Sequence, residues 1–175
     1  MQVRQPPVIG FVGSSNSGKT MLAVQVVDLL TRQGYRVGVI KHTHHHFDLD
    51  VEGKDSWKYS QAGAQRVTLA GAERMTVFAD VSDDSLQWFL RFSDDCDLVV
   101  VEGFTKSEHA RIWVYRDEIG GQDKVAPYTK GIIAMASRDK VDHLMPDLPV
   151  LDPDDAQQVA AFILEHFNLA LEKQP

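Results

Sequence analysis

The chain has 175 residues, with 18 Lys and Arg against 25 Asp and Glu, for a net charge of −7. That length suits one compact domain of roughly 100–200 residues, and 43% hydrophobic content supplies the core that a disordered chain lacks. The acidic balance excludes a general nucleic-acid binder, whose affinity comes from a basic surface, but leaves room for one basic pocket around a small phosphorylated ligand. Cys96 is the single cysteine, which excludes an intrachain disulfide and a cysteine zinc cluster. No apolar run approaches the ~20 residues that span a bilayer, and Met1 to Pro7 lacks the features of a signal peptide. A soluble, cytoplasmic protein with no membrane and no nucleic-acid partner is expected.

Val8 to Val12 is a short apolar run between prolines and Gly13, as in a buried strand. Gly18 to about Gln33 is apolar nearly all round, which predicts a well-buried helix closed by Gly34 as a left-handed cap. Arg36 to Lys41 is a second strand, so the three elements form a right-handed βαβ unit with parallel strands. His42 to Gly53 reads as a polar functional loop, and Lys54 to Ala64 as a helix. Arg66 to Ala70 and Arg74 to Ala79 flank Gly71-Ala72, as in an antiparallel hairpin.

Ser82, followed by Asp83 and Asp84, suits the positive start of a helix running to about Phe92. Asp97 to Gly103 is the clearest central strand, apolar on both faces; Arg111 to Tyr115 and Gly131 to Ala136 are further strands, with a short one at Val150-Leu151. The last helix is expected from Asp152 as N-cap with Pro153 in its first turn. Its stripe of Val159, Ile163, Phe167 and Leu171 faces the sheet. With no repeats and no dividing linker, residues 1–175 read as a single domain.

The segment Gly13-Ser14-Ser15-Asn16-Ser17-Gly18-Lys19-Thr20 fits G-x-x-x-x-G-K-[ST] between a predicted strand and a predicted helix. A chance match arises in ~0.01 of chains this long. Its glycines let successive backbone N–H groups turn inward around phosphates, and the following helix adds its positive end. Lys19 is then placed for the β- and γ-phosphates and the Thr20 hydroxyl for Mg²⁺. Glu102, at the C-terminal end of the central strand, lies where ligands of open parallel sheets collect. Its carboxylate is suited to hold Mg²⁺ or orient a water, or to serve as a structural partner of a cation. Asp97, at the opposite end of that strand, reads as a cap or surface residue.

Lys41 and His42 close the second strand on the ligand side, where a cation either contacts an anion or is simply solvated. His42, His44, His45 and His46, with Asp48 and Asp50, suit Zn²⁺ or Ni²⁺ as metal ligands, or a polar loop without metal. Gly53-Lys54-Asp55-Ser56 is a second anion site or an ordinary helix start capped by its own residues. Asp139-Lys140-Val141-Asp142 is a degraded form of a guanine-reading motif, or a charged turn. Ser137 is an alternative contact to the base from the strand end.

The phosphate loop, Ile40-Lys41-His42-Thr43-His44-His45, Gly53-Lys54-Asp55-Ser56 and Val101-Glu102-Gly103-Phe104 occur in this order. Together, from about Val8 to Ala136, the chain resembles the MobB family of molybdopterin-guanine dinucleotide biosynthesis proteins. The resemblance implies an α/β P-loop NTPase fold with a mostly parallel, mixed sheet flanked by helices on both faces. It implies binding of GTP and Mg²⁺, a homodimer, and at most slow GTP hydrolysis. The role implied is an accessory one, with the guanylyltransferase that converts molybdopterin cofactor to its guanine dinucleotide form. By position, Gly13 to Thr20 with Glu102 would form the nucleotide site, Thr20 and Glu102 would hold the metal, and Lys41, His42 and Asp55 would belong to neighbouring family segments. The rival readings are a metallochaperone GTPase delivering nickel or zinc, and a small-molecule P-loop kinase.

Overall fold

The computed structural model describes residues 5–43, 50–119, 130–141 and 143–170. These fall into two compact units, one from Met1–His42 with Ser85–Pro175 and one from Thr43–Asp84. The first holds β1 (Val8–Val12), α1 (Lys19–Arg32) and β2 (Val37–Lys41). The second holds α2 (Asp55–Gln61), β3 (Arg66–Ala70) and β4 (Met75–Ala79). The chain returns to the first unit for α3 (Leu86–Leu90), β5 (Leu98–Glu102), β6 (Ala110–Val114), β7 (Ile132–Ala136), β8 (Val150–Leu151) and α4 (Ala156–His166).

The first unit is built on a six-stranded sheet in the order β2-β5-β1-β6-β7-β8, every pair parallel. The expected mixture of directions is therefore absent from this sheet; the antiparallel β3-β4 hairpin forms a separate sheet in the second unit. Helices do cover both faces. On one, Ile9, Phe11, Val100, Ile112 and Ala134 pack with Leu22, Val26 and Leu30 of α1 and Val159 and Ile163 of α4. On the other, Leu86 and Leu90 of α3 cover Val99 and Val101. Alternating residues of β1 and β5 thus serve two cores, as expected of strands buried on both faces. Parallel ladders leave every strand's C-terminal end on one edge, which places Val12, Lys41 and Glu102 together.

Helix limits follow the groups that satisfy their first amides. α3 begins after Ser85, whose Oγ accepts from the Trp88 N–H, not at Ser82. Leu86 and Leu90 are its buried i, i+4 pair, so the last serine before them becomes the cap. α4 is capped by Asp155, not Asp152, because Asp152 is used in a preceding turn that accepts the Asp154 and Asp155 amides. α1 buries Leu22, Ala23, Val26 and Leu30 but leaves Met21 and Val24 exposed. The sheet lies on one side of α1 and α4 beside it, so the remaining side meets water and the all-round burial expected from its composition does not occur. Gly34 takes the expected left-handed conformation, with φ 96°. In the second unit α2 is shorter than expected and closes through Ala62 and Gly63.

The connection from β5 to β6 crosses β1 with residues 103–109 and no helix, shorter than the dozen or more residues usual for parallel crossovers. A Cβ on Gly10 would stand 2.5 Å from His109 Nε2, so glycine in β1 leaves the room that the His109 ring fills. Arg111, fully buried opposite Gly10, donates from Nη1 to the Lys130 carbonyl at 3.1 Å and from Nη2 to the carbonyls of Phe104 and Ser107. Among the described residues, no helix is long and apolar enough to cross a membrane.

Candidate functional site

The loop after β1 is shaped by its backbone. Gly13 has φ 146°, and a Cβ there would lie 2.2 Å from the Val114 carbonyl oxygen, so the turn can pass β6 only without a side chain. Asn16 has φ 65°, a conformation asparagine tolerates better than most residues, and the Ser17 N–H donates to the Ser14 carbonyl at 3.2 Å. Gly18 precedes α1 with φ 97° and offers no side-chain cap, so the first helical amides are left to another acceptor. Ser17 is buried, and its hydroxyl has no partner among the described residues. Such an orphaned donor beside open amides suits an oxygen-rich anion.

Charged side chains meet at this loop. Lys19 donates from Nζ to the Ser14 carbonyl at 2.6 Å, folding across the loop it follows. Burial pulls its pKa below the ordinary lysine value; nearby Glu102 opposes that fall and Lys41 adds to it. Thr20 donates from Oγ1 to Glu102 Oε2 at 3.0 Å, and Lys41 Nζ lies 3.3 Å from the same oxygen. The Glu102 side chain is only 12% exposed, so its charge is used within the site rather than dispersed in water. Glu102 is thus paired with a cation, as its structural reading expects, and also lies against the Thr20 hydroxyl.

Beyond Glu102 the chain turns through Gly103, with φ 93°, and Phe104, with φ 50°. The His42 N–H donates to the Glu102 carbonyl at 2.8 Å, and the His42 ring lies 4.4 Å from that of Phe104. His42 therefore supports the turn that carries Glu102. At the far end of β5, Asp97 accepts from the backbone N–H and guanidinium of Arg36, a surface role as expected.

Loop residues Gly13 to Thr20, Lys41, His42 and Glu102 are thus brought together. Asp55 belongs to the second unit, where it is a first-turn acid of α2 and pairs with Lys58 at 3.1 Å. Ser56 donates to Asp50 at 2.7 Å. Asp139 accepts from the Asp117 N–H at 2.8 Å, and the Ser137 hydroxyl oxygen accepts from the Asp139 N–H at 3.1 Å, so both are used in fixing a turn. His44, His45, His46, Asp48, Asp142 and Leu171 lie outside the described residues. Among the described residues there is no group of three or more His, Cys, Asp or Glu suited to a metal ion. Arg116, which the sequence pattern does not single out, approaches the loop: its Nη2 lies 3.7 Å from the position of a Cβ on Gly18.

Residues 8–138 match the family model described as molybdopterin guanine dinucleotide synthesis protein B. The chain is 34% identical over 164 residues to the molybdopterin-guanine dinucleotide biosynthesis adapter protein of Escherichia coli, covering 91% of this chain and 92% of that protein. It is also 34% identical over 170 residues to the Haemophilus influenzae protein of the same name, covering 94% and 93%. A crystal structure of molybdopterin-guanine biosynthesis protein B superposes with TM-score 0.72 at 30% identity, over 91% of this chain and 99% of that one. The crystal structure of Bacillus subtilis MobB gives TM-score 0.73 at 25% identity, over 95% and 99%.

Proposed function

The chain belongs to the MobB family, molybdopterin guanine dinucleotide synthesis protein B, and from that premise we propose that it is a GTP-binding adapter in converting molybdopterin cofactor to its guanine dinucleotide form. The observation that carries this reading is the meeting of Lys19, Thr20, Lys41 and Glu102 at the mouth of a loop with open amides. That loop suits a triphosphate, with Gly13 to Gly18 supplying the cradle and Lys19 the ammonium. Thr20 and Glu102 present hard oxygen donors 3.0 Å apart, the donor type Mg²⁺ takes. When bound, the ion supplies charge that neutralises phosphate oxygens.

Glu102 is the candidate for orienting a water. Its Oε2 is already shared between a hydroxyl and an ammonium, which suits binding and at most slow hydrolysis rather than rapid turnover. In this proposal residues 1–175 act as one GTP-binding domain in a cytoplasmic homodimer. The segment from His42 to Asp55 engages the cofactor intermediate or its guanylyltransferase. The adapter names of the Escherichia coli and Haemophilus influenzae relatives support the role.

The test is guanine dinucleotide cofactor synthesis by the transferase with and without this protein. Stimulation by the wild type and its loss in Lys19→Ala are expected. An unchanged yield, or full stimulation by Lys19→Ala, would overturn the proposal, and calorimetry showing ATP bound as tightly as GTP would overturn the choice of nucleotide.

A further inference from the structure

Beyond the end of β6 the backbone is fixed on both sides of Arg116. The Tyr115 N–H donates to the Ala136 carbonyl at 3.0 Å, and the Asp117 N–H donates to the Asp139 carboxylate at 2.8 Å. The Tyr115 hydroxyl donates to Asp117 Oδ1 at 2.8 Å, and the Arg116 carbonyl accepts from Ile119 at 3.2 Å. Arg116 itself is half-buried, and among the described residues its guanidinium makes no hydrogen bond or ion pair. Of the acids around it, Asp117 takes Tyr115 and Asp139 takes the Asp117 amide, while Asp154 feels the charge of Arg116 but pairs directly with Arg138.

A half-buried guanidinium whose donors make no hydrogen bond has them free for a ligand, and its planar fork of N–H donors matches phosphate oxygens. It lies against the one glycine that directly precedes Lys19 and α1. We infer that Arg116 is a phosphate-binding residue, its guanidinium contacting non-bridging oxygens of a nucleoside polyphosphate held by the loop Gly13 to Thr20. This inference rests on the loop being a nucleotide site. Loop amides cradle the α- and β-phosphates, so the group that Arg116 contacts is shared by di- and triphosphates.

The experiment is calorimetric titration of GDP and GTP with Mg²⁺ into the full-length chain and its Arg116→Ala, Arg116→Gln and Arg116→Lys variants, over a range of salt concentrations. Loss of a charge-assisted pair is expected to weaken both nucleotides about tenfold in Arg116→Ala and Arg116→Gln. The dependence of affinity on salt should become shallower in both, because one cation fewer faces the phosphates. Arg116→Lys restores the salt dependence and part of the affinity, which a merely structural loosening of the turn would not produce. Unchanged GDP and GTP affinity in Arg116→Ala, with binding lost in Lys19→Ala, would overturn the role of Arg116 and leave the nucleotide site standing. Weakened binding with unaltered salt dependence would likewise overturn it. A wild-type chain that binds neither nucleotide would overturn both.

Discussion

Arg111 lies within β6 and Arg116 just beyond it, and their surroundings are opposite. Arg111 is fully buried, and its two terminal nitrogens are spent on the carbonyls of Phe104, Ser107 and Lys130. It ties a helix-free crossover to the sheet and steadies the turn that leads back to Glu102. Arg116 is half-buried beside the phosphate loop, and among the described residues its guanidinium makes no hydrogen bond or ion pair. Both guanidiniums are at least partly withdrawn from water. What separates them is whether the protein's own oxygens already accept the donors. The terminal nitrogens of Arg111 are spent on carbonyls of the crossover and of Lys130, whereas the phosphate loop leaves the Ser17 hydroxyl and the first amides of α1 without an acceptor among the described residues.

The largest expected effect breaks this contrast at its structural end. Arg111→Ala removes the donors of three carbonyls and opens a cavity. Denaturant unfolding should show about 3 kcal/mol of lost stability. A loss no greater than that of an exposed arginine would mean that Arg111 is not the tie described. At the loop end, Glu102→Gln keeps the shape and removes the charge that faces Thr20 and Lys41. Stability should change little, while the Mg²⁺-dependent part of nucleotide affinity falls about tenfold. Equal Mg²⁺ dependence in the variant would remove Glu102 from the metal site.

An effect of similar size concerns His109, at the crossover. Burial, reinforced by the charge of Arg111 and partly opposed by the nearby Ser107 backbone, lowers its pKa from 6.5 to about 4. The folded state then binds fewer protons than the unfolded state between these values. Stability should fall as the pH drops from 6.5 towards 4, by about 1–2 kcal/mol after allowing for partial contact with water. Thermal unfolding across this range should show a flatter profile in His109→Gln. An identical profile would place His109 in water.

Local patterns in the sequence carried the phosphate loop, the apolar β5 ending in Glu102, the hairpin around Gly71 and the glycine closing α1. Each depends on residues adjacent along the chain: φ-permissive glycines, apolar alternation and a lysine next to a helix start. The helix starts were less legible, because several serines and aspartates precede α3 and α4 and any can cap. Which one does so was decided by the buried residues that follow, Leu86 with Leu90 in α3, and by the turn that occupies Asp152 before α4.

The family resemblance had already paired Thr20 with Glu102, but only the tertiary structure gave their direct hydrogen bond across 82 positions and set Lys41 opposite Glu102 in the β2-β5 register. It alone distinguished Arg111 from Arg116, which no motif marks. Strand order and register bring such side chains together, and these arise from the packing of two cores on one sheet. A short window of sequence records which groups are present; the oxygen that each donor reaches depends on strands distant along the chain.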